Sequence, residues 1–387
     1  MPSEKTLTPH RVATGAPARA RYIMVGGFVG AGKTTSVARL ATHFVGQGLR
    51  VGLITNDQGS ELVDTTTLRA RGFATEEIPG GCFSCRFDSL IEAARRLTAQ
   101  TQPDVFIAEP VGSSTDLVAT VTYPLRRMYG ADYSVAPLSV VVDPIRAARV
   151  LGLEEGAKFS DKVTYIYRKQ LEEADLIVIN KSDLISSERM ARLHQALHGS
   201  FPKAEIFEIS ARQGQGLEAW FERLEGAEQG PGSAMEVDYQ VYAQGEALLG
   251  SLNATVRASS RKGFDGNRLL KLLAIEIQRV LAGNRAELAH LKMTLAPEFV
   301  LGEIGVINSV RNDSVPELAL ELSEPVESGQ LIINLRAEAA PELLHKAVTE
   351  ALRLLGETIP HLFVRLEHLE HFRPGKPQPT HRLTSII

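Results

Sequence analysis

A glycine-rich segment that ends in lysine and threonine is the first place where residue types and spacing indicate chemistry. Residues 27–34 read GFVGAGKT, the pattern GxxxxGK[ST], directly after the run YIMVG and before a helical pattern. Glycines let backbone N–H groups approach phosphate oxygens, Lys33 supplies a positive charge, and Thr34 offers a hydroxyl to Mg²⁺. Because both flanks match, we prefer a phosphate-binding loop to a glycine-rich turn without a ligand. The predicted nucleotide-binding residues here are Gly27, Gly30, Ala31, Gly32, Lys33, Thr34 and Thr35.

A second polar segment, NKSD at residues 180–183, follows the apolar run DLIVI. The carboxylate of Asp183 can accept hydrogen bonds from both the ring N–H and the exocyclic amine of guanine, a donor pair that adenine lacks. The sequence SAR at residues 210–212 ends the next apolar run, where a backbone amide could reach the guanine carbonyl. A chance surface turn is the alternative, but the order of the segments favours guanine. The predicted base-binding residues are Asn180, Lys181, Asp183, Ser210 and Ala211.

Two carboxylates end apolar runs that we expect to lie in one sheet. Asp57 ends RVGLITND, and Glu109 ends DVFIAE. We assign Asp57 to Mg²⁺ through a bridging water, and Glu109 either to Mg²⁺ or to the attacking water, although the two roles are interchangeable. Gly112 could lend an amide to the γ-phosphate, and an ordinary cap on the following segment is the alternative for either carboxylate. The predicted catalytic residues are Lys33, Asp57 and Glu109, and the predicted magnesium ligands are Thr34, Asp57 and Glu109.

The only two cysteines of the chain, Cys82 and Cys85, lie in the segment GGCFSCRF. Two thiolates at this spacing can bind one soft or borderline metal ion, and the preceding glycines let the backbone fold around it. A redox pair and two inert core thiols are the alternatives. We therefore predict Cys82 and Cys85 as ligands of a transferred ion.

The polar segments follow short apolar runs that alternate with helical patterns. These runs are YIMVGGF, RVGLITND, DVFIAEP, LSVVVD, DLIVINKSD and EIFEIS. Such alternation predicts an α/β fold, a P-loop NTPase with a mostly parallel sheet and helices on both faces. Ligands of such sheets bind beyond the carboxyl ends of the strands, where the predicted site residues fall.

The composition changes at GAEQGPGS, residues 226–233, which we interpret as a linker. Beyond it, apolar runs and two helical patterns predict a smaller α+β domain. The predicted organisation is a flexible tail (1–20), a GTPase domain (21–225), a linker (226–236), a carboxy-terminal domain (237–372) and a tail (373–387).

The carboxy-terminal stretch contains several histidines beside two glutamates. They are His361, His368, His371 and His381, with Glu367 and Glu370. Residues three apart on a strand face opposite sides, so we interpret these histidines as surface residues rather than metal ligands. The following RPGKPQPTHR is too proline-rich for a packed element, and we expect it to extend across another surface.

Composition limits the classes of partner. The formal net charge is −4 and lacks long single-sign blocks, so we expect neither nucleic acid nor an anionic membrane as the main partner. The sequence contains no apolar run of membrane-spanning length and no signal-peptide pattern, and only two cysteines. These features predict a protein of the cytoplasm.

Five segments in order give the chain a family resemblance. GGFVGAGKTT, TNDQG, GGCFSC, EPVG and NKSD together resemble the CobW-type metallochaperone GTPases, relatives of the nickel-inserting GTPases for hydrogenase and urease. The resemblance covers the first domain and, in outline, the layout of the second. It implies GTP binding and slow hydrolysis, coupled to transfer of zinc, cobalt or a related ion to a client metalloprotein or cofactor-pathway protein.

One departure from the family pattern concerns the metal segment. The family sequence Cys-x-Cys-Cys is replaced by Cys82, Phe83, Ser84 and Cys85, so that a hydroxyl stands where the middle thiol would be. Two thiolates leave a tetrahedral ion short of two ligands, which suits transfer better than storage. We expect GTP and Mg²⁺ to order the segment from Asp57 to Cys85 and hydrolysis to release the ion.

Two other functions compete with metal transfer. A GTP-driven regulator of a corrinoid or metalloenzyme client would carry no ion itself, and the altered cysteine motif favours it. A P-loop kinase acting on a small molecule would have little need for NKxD. A second copy of this chain is a further candidate partner, in a homodimer.

Overall fold

The computed structural model describes residues 19–57, 68–69, 71–230, 234–298, 300 and 302–385. Most of the predicted amino-terminal tail and residues 231–233 of the predicted linker lie outside these ranges. Within them the chain forms two sheets, each with its own hydrophobic core.

The first sheet has eight strands, and every strand pair in it is parallel. Its strands are β1 (Ala20–Gly26), β2 (Val51–Asp57), β3 (Ala74–Pro79), β4 (Val105–Glu109), β5 (Tyr133–Val135), β6 (Ser139–Val142), β7 (Leu176–Ile179) and β8 (Glu205–Glu208). Seven strands follow the order β3-β2-β4-β1-β6-β7-β8, and β5 pairs with the start of β1. The predicted mostly parallel P-loop NTPase sheet is therefore confirmed.

Helices cover both faces of this sheet, as parallel strands require. They are α1 (Lys33–Gly46), α2 (Phe87–Thr101), α3 (Tyr123–Tyr129), α4 (Pro144–Val150), α5 (Asp161–Glu173), α6 (Ser187–Ser200) and α7 (Leu217–Gly226). Buried residues of α1 and α7, such as Phe44 and Trp220, form a core on one face. Residues of α2 and α5, such as Leu90 and Ile166, form a core on the other.

Strand β3 adds a strand that the sequence analysis did not predict. The predicted apolar runs RVGLITND and DVFIAEP, which become β2 and β4, have no predicted strand between them, but β3 lies there and GGCFSCRF follows it directly. The sequence of β3, ATEEIP, lacks an apolar run because β3 is an edge strand, and edge strands tolerate charged residues such as Glu76 and Glu77. The cysteines consequently lie at the carboxyl edge of the sheet.

The second sheet has six antiparallel strands in the order β12-β11-β10-β13-β9-β14. Its elements, with a preceding helix, are α8 (Tyr239–Leu248), β9 (Leu249–Phe264), α9 (Gly266–Gly283), β10 (Glu287–Pro297), β11 (Gly305–Ser309), β12 (Glu317–Leu320), β13 (Val326–Glu338), α10 (Pro341–Thr358) and β14 (Phe363–Phe372). Both α9 and α10 pack on one face of the sheet. The α+β domain is confirmed, with β11 and β12 in addition to the predicted strands.

Helix α8 connects the two sheets. Tyr242 of α8 is buried in the core of the first domain, and a Cβ on Gly245 would lie 2.5 Å from the carbonyl oxygen of Lys162 in α5. The first domain and the start of the second are therefore closely packed. In the described part of the chain, no helix combines the length and the apolar character needed to cross a membrane.

Candidate nucleotide site and cysteine segment

The glycine-rich loop joins β1 to α1, as its sequence predicts. Gly32 is the residue before α1 and has a left-handed φ of 96°. A Cβ at this position would lie 2.3 Å from Nδ2 of Asn180, so both the backbone conformation and the close approach require glycine. Lys33 is buried, and its Nζ lies 3.5 Å from the carbonyl oxygen of Phe28 across the loop. The side chain of Lys33 thus lies inside the curve of the loop.

The NKSD segment is bound to this loop by its first two side chains. Nδ2 of Asn180 donates to the carbonyl oxygen of Ala31 at 2.9 Å, and Nζ of Lys181 donates to that of Gly30 at 2.8 Å. The Oδ1 atom of Asn180 accepts from the amide of Ala211 at 3.0 Å. The predicted phosphate-binding and base-binding segments therefore meet through direct hydrogen bonds.

The predicted magnesium ligands also converge. The hydroxyl of Thr34 donates to Oε1 of Glu109 at 3.0 Å, although 75 residues separate them. Hydroxyl and carboxylate oxygens are the ligands that Mg²⁺ prefers, so this pair fits the ion. The backbone of Asp57 ends β2 beside β4, but its side chain lies outside the described residues. Gly112 lies against the glycine-rich loop, since a Cβ on it would lie 2.8 Å from the side chain of Val29, and its carbonyl oxygen accepts from Nε2 of Gln170 at 3.0 Å.

One cavity of about 980 Å³ brings most of these residues together. The predicted residues that line it are Gly30, Gly32, Lys33, Thr34, Thr35, Glu109, Gly112, Asn180, Lys181, Asp183, Ser210 and Ala211. Gly27 and Ala31 support the loop from outside the lining; a Cβ on Gly27 would lie 2.2 Å from the carbonyl oxygen of Val141. The cavity is large enough for a nucleotide-sized ligand.

Asp143, which our sequence reasoning did not assign, is central to the site. Its carboxylate caps α4 and accepts from Lys181 at 3.0 Å and from Arg311 of the second domain at 3.1 Å. Burial by itself would raise the pKa of Asp143, but the charges of Lys181 and Arg311 together hold it well below its ordinary value. The signal was present in the sequence, because Asp143 ends the run LSVVVD just as Asp57 and Glu109 end theirs.

The cysteine segment is connected to the end of β2 by Asn56. Nδ2 of Asn56 donates to the carbonyl oxygens of Ile78 at 2.8 Å and of Gly81 at 2.5 Å. Asn56 also lines the nucleotide cavity, and Gly81 directly precedes Cys82. One side chain therefore contacts both the wall of the cavity and the backbone of the cysteine segment.

The two thiols differ in environment. Cys82 is 8% exposed, and its Sγ lies 3.0 Å from Oγ of Ser84, whereas Cys85 is half-buried. The hydrogen bond between the thiols, together with burial, raises the pKa of Cys82, and the same bond lowers the pKa of Cys85 although burial opposes it. The thiolate form, which binds metals, is thus favoured at Cys85.

The chain that follows β14 crosses this segment. The amide of Gln378 donates to Sγ of Cys85 at 3.4 Å, and that of Thr380 donates to the carbonyl oxygen of Ser84 at 2.8 Å. Nε of Arg382 donates to the buried Asp116 at 2.8 Å. We call residues 374–385 the strap. The strap extends across another surface, as the proline-rich sequence led us to expect, and that surface includes Cys85.

The histidines of the carboxy-terminal stretch do not join the cysteines in one group. His381 packs its ring edge-on against Phe87, with centroids 5.2 Å apart, while the ring of His371 lies 5.3 Å from that of His345. Within the ranges that the structure describes, no three His, Cys, Asp or Glu side chains are placed to hold a metal ion. A metal at Cys82 and Cys85 would need ligands from elsewhere.

Comparisons with known proteins agree with this geometry. Residues 21–208 match the family model described as CobW/HypB/UreG, nucleotide-binding domain. The chain is 30% identical over 171 residues to the zinc chaperone YeiR of Escherichia coli, covering 43% of this chain and 48% of that protein. It is 30% identical over 186 residues to the zinc chaperone CobW of a Sinorhizobium species, covering 42% and 51%.

Among solved structures, the hydrogenase maturation factor HypB from Archaeoglobus fulgidus is 23% identical and gives a TM-score of 0.37, covering 54% of this chain and 89% of that one. The chain spans about half the length of the curated relatives named above. The match to the CobW/HypB/UreG nucleotide-binding domain therefore spans the part of the chain that carries the phosphate loop, Glu109 and NKSD.

Proposed function

We propose that this protein is a GTP-hydrolysing metallochaperone of the cytoplasm, which couples its nucleotide state to delivery of zinc, or a cobalt-type ion, to a client metalloprotein or cofactor-pathway protein. The observation that supports this most directly is the hydrogen bond from Asn56 to Gly81, because it joins the nucleotide cavity to the cysteine segment. The names of the relatives point the same way, since two of them are zinc chaperones.

In this proposal the phosphate loop holds the triphosphate, and Lys33 neutralises its terminal charge. The pair Thr34 and Glu109 would hold Mg²⁺, with Asp57 as a further ligand through water. That ion supplies charge neutralisation of the phosphates when it is bound. Asp183 selects guanine, and the hydrogen bonds of Asn180 to the carbonyl oxygen of Ala31 and to the amide of Ala211 hold the base site and the phosphate loop together.

The transferred ion would bind at Cys82 and Cys85. The nucleotide state would reach these residues through the end of β2, because a displacement of this strand end on nucleotide binding would move Asn56 and, through its hydrogen bond, Gly81. Coupling of this kind is reciprocal: if GTP tightens metal binding about tenfold, metal tightens GTP binding about tenfold.

The test is a titration of zinc into the full chain by calorimetry, with a non-hydrolysable GTP analogue, with GDP and with no nucleotide. We expect one zinc per chain, bound more tightly with the analogue, and no zinc binding to a Cys82→Ser, Cys85→Ser variant. Equal zinc affinities in all three states would contradict the coupling. Lys33→Ala is the matched control, since it should abolish the effect of the nucleotide and leave zinc binding without nucleotide intact.

A GTP-driven regulator that carries no metal is the second candidate. Ser84 in place of a thiol and the strap across Cys85 favour it. A wild-type chain that hydrolyses GTP but binds no zinc or cobalt in any nucleotide state would select this candidate.

A further inference from the structure

The wall of the nucleotide cavity that faces the phosphate loop is the polar face of the second sheet. Apolar residues of its strands, such as Leu252, Met293 and Ile333, point to α9 and α10. The alternate residues face the other way, and several of them line the cavity. They are Ser251, Asn253, His290, Lys292, Asn308, Asn334 and Arg336.

Register places these side chains in two rows across the sheet. Asn253 pairs with Asn334, Asn334 with Lys292, and Lys292 with Asn308, so that four adjacent strands present a continuous polar row. In the next row His290 pairs with Arg336. Nδ2 of Asn334 donates to Oδ1 of Asn253 at 2.9 Å, which fixes the orientation of both amides. The rows form a preorganised polar surface.

This surface is fixed against the phosphate loop. A Cβ on Gly30 would lie 2.7 Å from the side chain of Val310 and 3.1 Å from the carbonyl oxygen of Ala289. Ala289 directly precedes His290, and Val310 lies two residues after Asn308. Arg146 of α4 donates to the carbonyl oxygens of Leu288, at 3.2 Å, and of Val310. The distance between the loop and the second sheet is therefore set by direct contacts.

Charge in the cavity indicates an anionic ligand. Among the described lining residues, eight are Lys or Arg and four are Asp or Glu. The cations are Lys33, Arg39, Arg71, Lys181, Arg212, Lys292, Arg311 and Arg336, and the acids are Glu109, Asp183, Asp313 and Glu317. Three of the cations belong to the second domain. Asp143 and Glu246, which pair with Lys181, Arg311 and Arg336 from behind the lining, reduce this excess but do not remove it. Positive charge on facing walls suits a polyphosphate held between them.

We infer that the second domain forms part of the nucleotide site: the polar face of its sheet contacts the terminal phosphates of the bound triphosphate, with Lys292 as the charged group and Asn334 beside it. The inference rests on the proposed function and extends it, because it assigns the discrimination between triphosphate and diphosphate in part to the second domain. Arg336 is a positioning residue here. Its Nη2 donates to Ser113 at 2.8 Å, next to Gly112, and to Glu246 at 3.1 Å.

The test measures binding of a non-hydrolysable GTP analogue and of GDP to the full chain by calorimetry. Lys292→Met should lower the affinity for the analogue about tenfold, which is the effect of losing one charge-assisted contact, and should change the affinity for GDP far less. Lys292→Arg, which keeps the charge, should restore most of the loss. Lys271→Met is the matched control, because Lys271 is exposed on α9, on the opposite side of the sheet, and its loss should change neither affinity.

Asn334→Asp provides a second variant that does not remove Lys292. A carboxylate beside the terminal phosphates should lower the affinity for the analogue and leave the affinity for GDP nearly unchanged. Thermal unfolding shows whether the variant is folded. Unchanged affinities in both folded variants, or an equal loss for analogue and GDP, would overturn the inference. A wild-type chain that binds neither nucleotide would reject the proposed function, and the inference with it.

Discussion

The carboxylate of Asp143 lies 3.0 Å from the ammonium group of Lys181. Only 2% of the Asp143 side chain is exposed, against 23% of Lys181, so the pair is largely removed from water. The same carboxylate bonds to Arg311, and Lys181 also bonds to the carbonyl oxygen of Gly30. Asp143 thus connects the NKSD segment, the glycine-rich loop and the second domain.

Asp143→Asn should destabilise the protein by about 3–5 kcal/mol, because it leaves the two cations without their buried carboxylate. The variant should also bind GTP more weakly, since Lys181 loses the group that orients it. Urea unfolding measures the first effect and calorimetry the second. The control is Asp104→Asn, which breaks the exposed pair with Arg50 and should cost less than about 1 kcal/mol. A similar loss in the free energy of unfolding for the two variants would contradict the role of Asp143.

Glu173 should make stability depend on pH. It is buried beside Thr115 and the amide of Val118, and burial raises its pKa to about 8, although these hydrogen bonds oppose the shift. The pKa of Glu173 is higher in the folded than in the unfolded protein. Its contribution to the free energy of unfolding is therefore fully present below about pH 4.5 and is lost as the pH rises toward 8. The free energy of unfolding falls over this range by at most about 1.4 kcal/mol per pH unit.

Glu173→Gln should remove this part of the pH dependence, since the amide has the shape of the protonated acid and does not titrate. The free energy of unfolding in urea, measured between pH 5 and pH 8 for both proteins, checks the prediction. Parallel pH profiles for wild type and variant would show that Glu173 is ionised in the folded protein.

Asp183 should decide the choice of base. It lies in a short 3₁₀ turn, Ser182–Leu184, at the mouth of the cavity. Asp183→Ala should weaken GTP binding roughly 10- to 100-fold, the range for hydrogen bonds to a charged acceptor, and leave weak ATP binding unchanged. Competition calorimetry with both nucleotides measures the ratio. An equal loss for the two nucleotides would mean that Asp183 does not read the base.

The strap should protect Cys85. In a Cys82→Ser background, which leaves one reporting thiol, deletion of residues 374–387 should raise the rate of labelling by a thiol-reactive chromophore about tenfold or more, because several hydrogen bonds no longer hold the segment closed. Arg382→Ala removes the anchors on Asp116 and on the carbonyl oxygen of Met235 but keeps the hydrogen bonds at Cys85 and Ser84, so it should give a smaller increase. Labelling at the wild-type rate in both variants would show that the strap does not control access to Cys85.

Local sequence determined the phosphate loop, NKSD and the cysteine pair, because each depends on residue types at fixed short spacing. The alternation of apolar runs and helical patterns likewise determined the parallel sheet and the α+β domain that follows it. Edge strand β3 was not predicted, because the prediction depended on apolar runs and a strand with one neighbour can carry charged residues instead.

Only the tertiary structure decided which distant residues meet. Asp143 and Arg311 are 168 residues apart, and Gln378 and Cys85 are 293 apart, yet each pair is in contact. Such pairs leave no local pattern, because their spacing is set by how the two domains and the strap pack rather than by the period of a helix or strand. For the same reason the polar face of the second sheet could be recognised as a wall of the nucleotide cavity only once both domains were folded together.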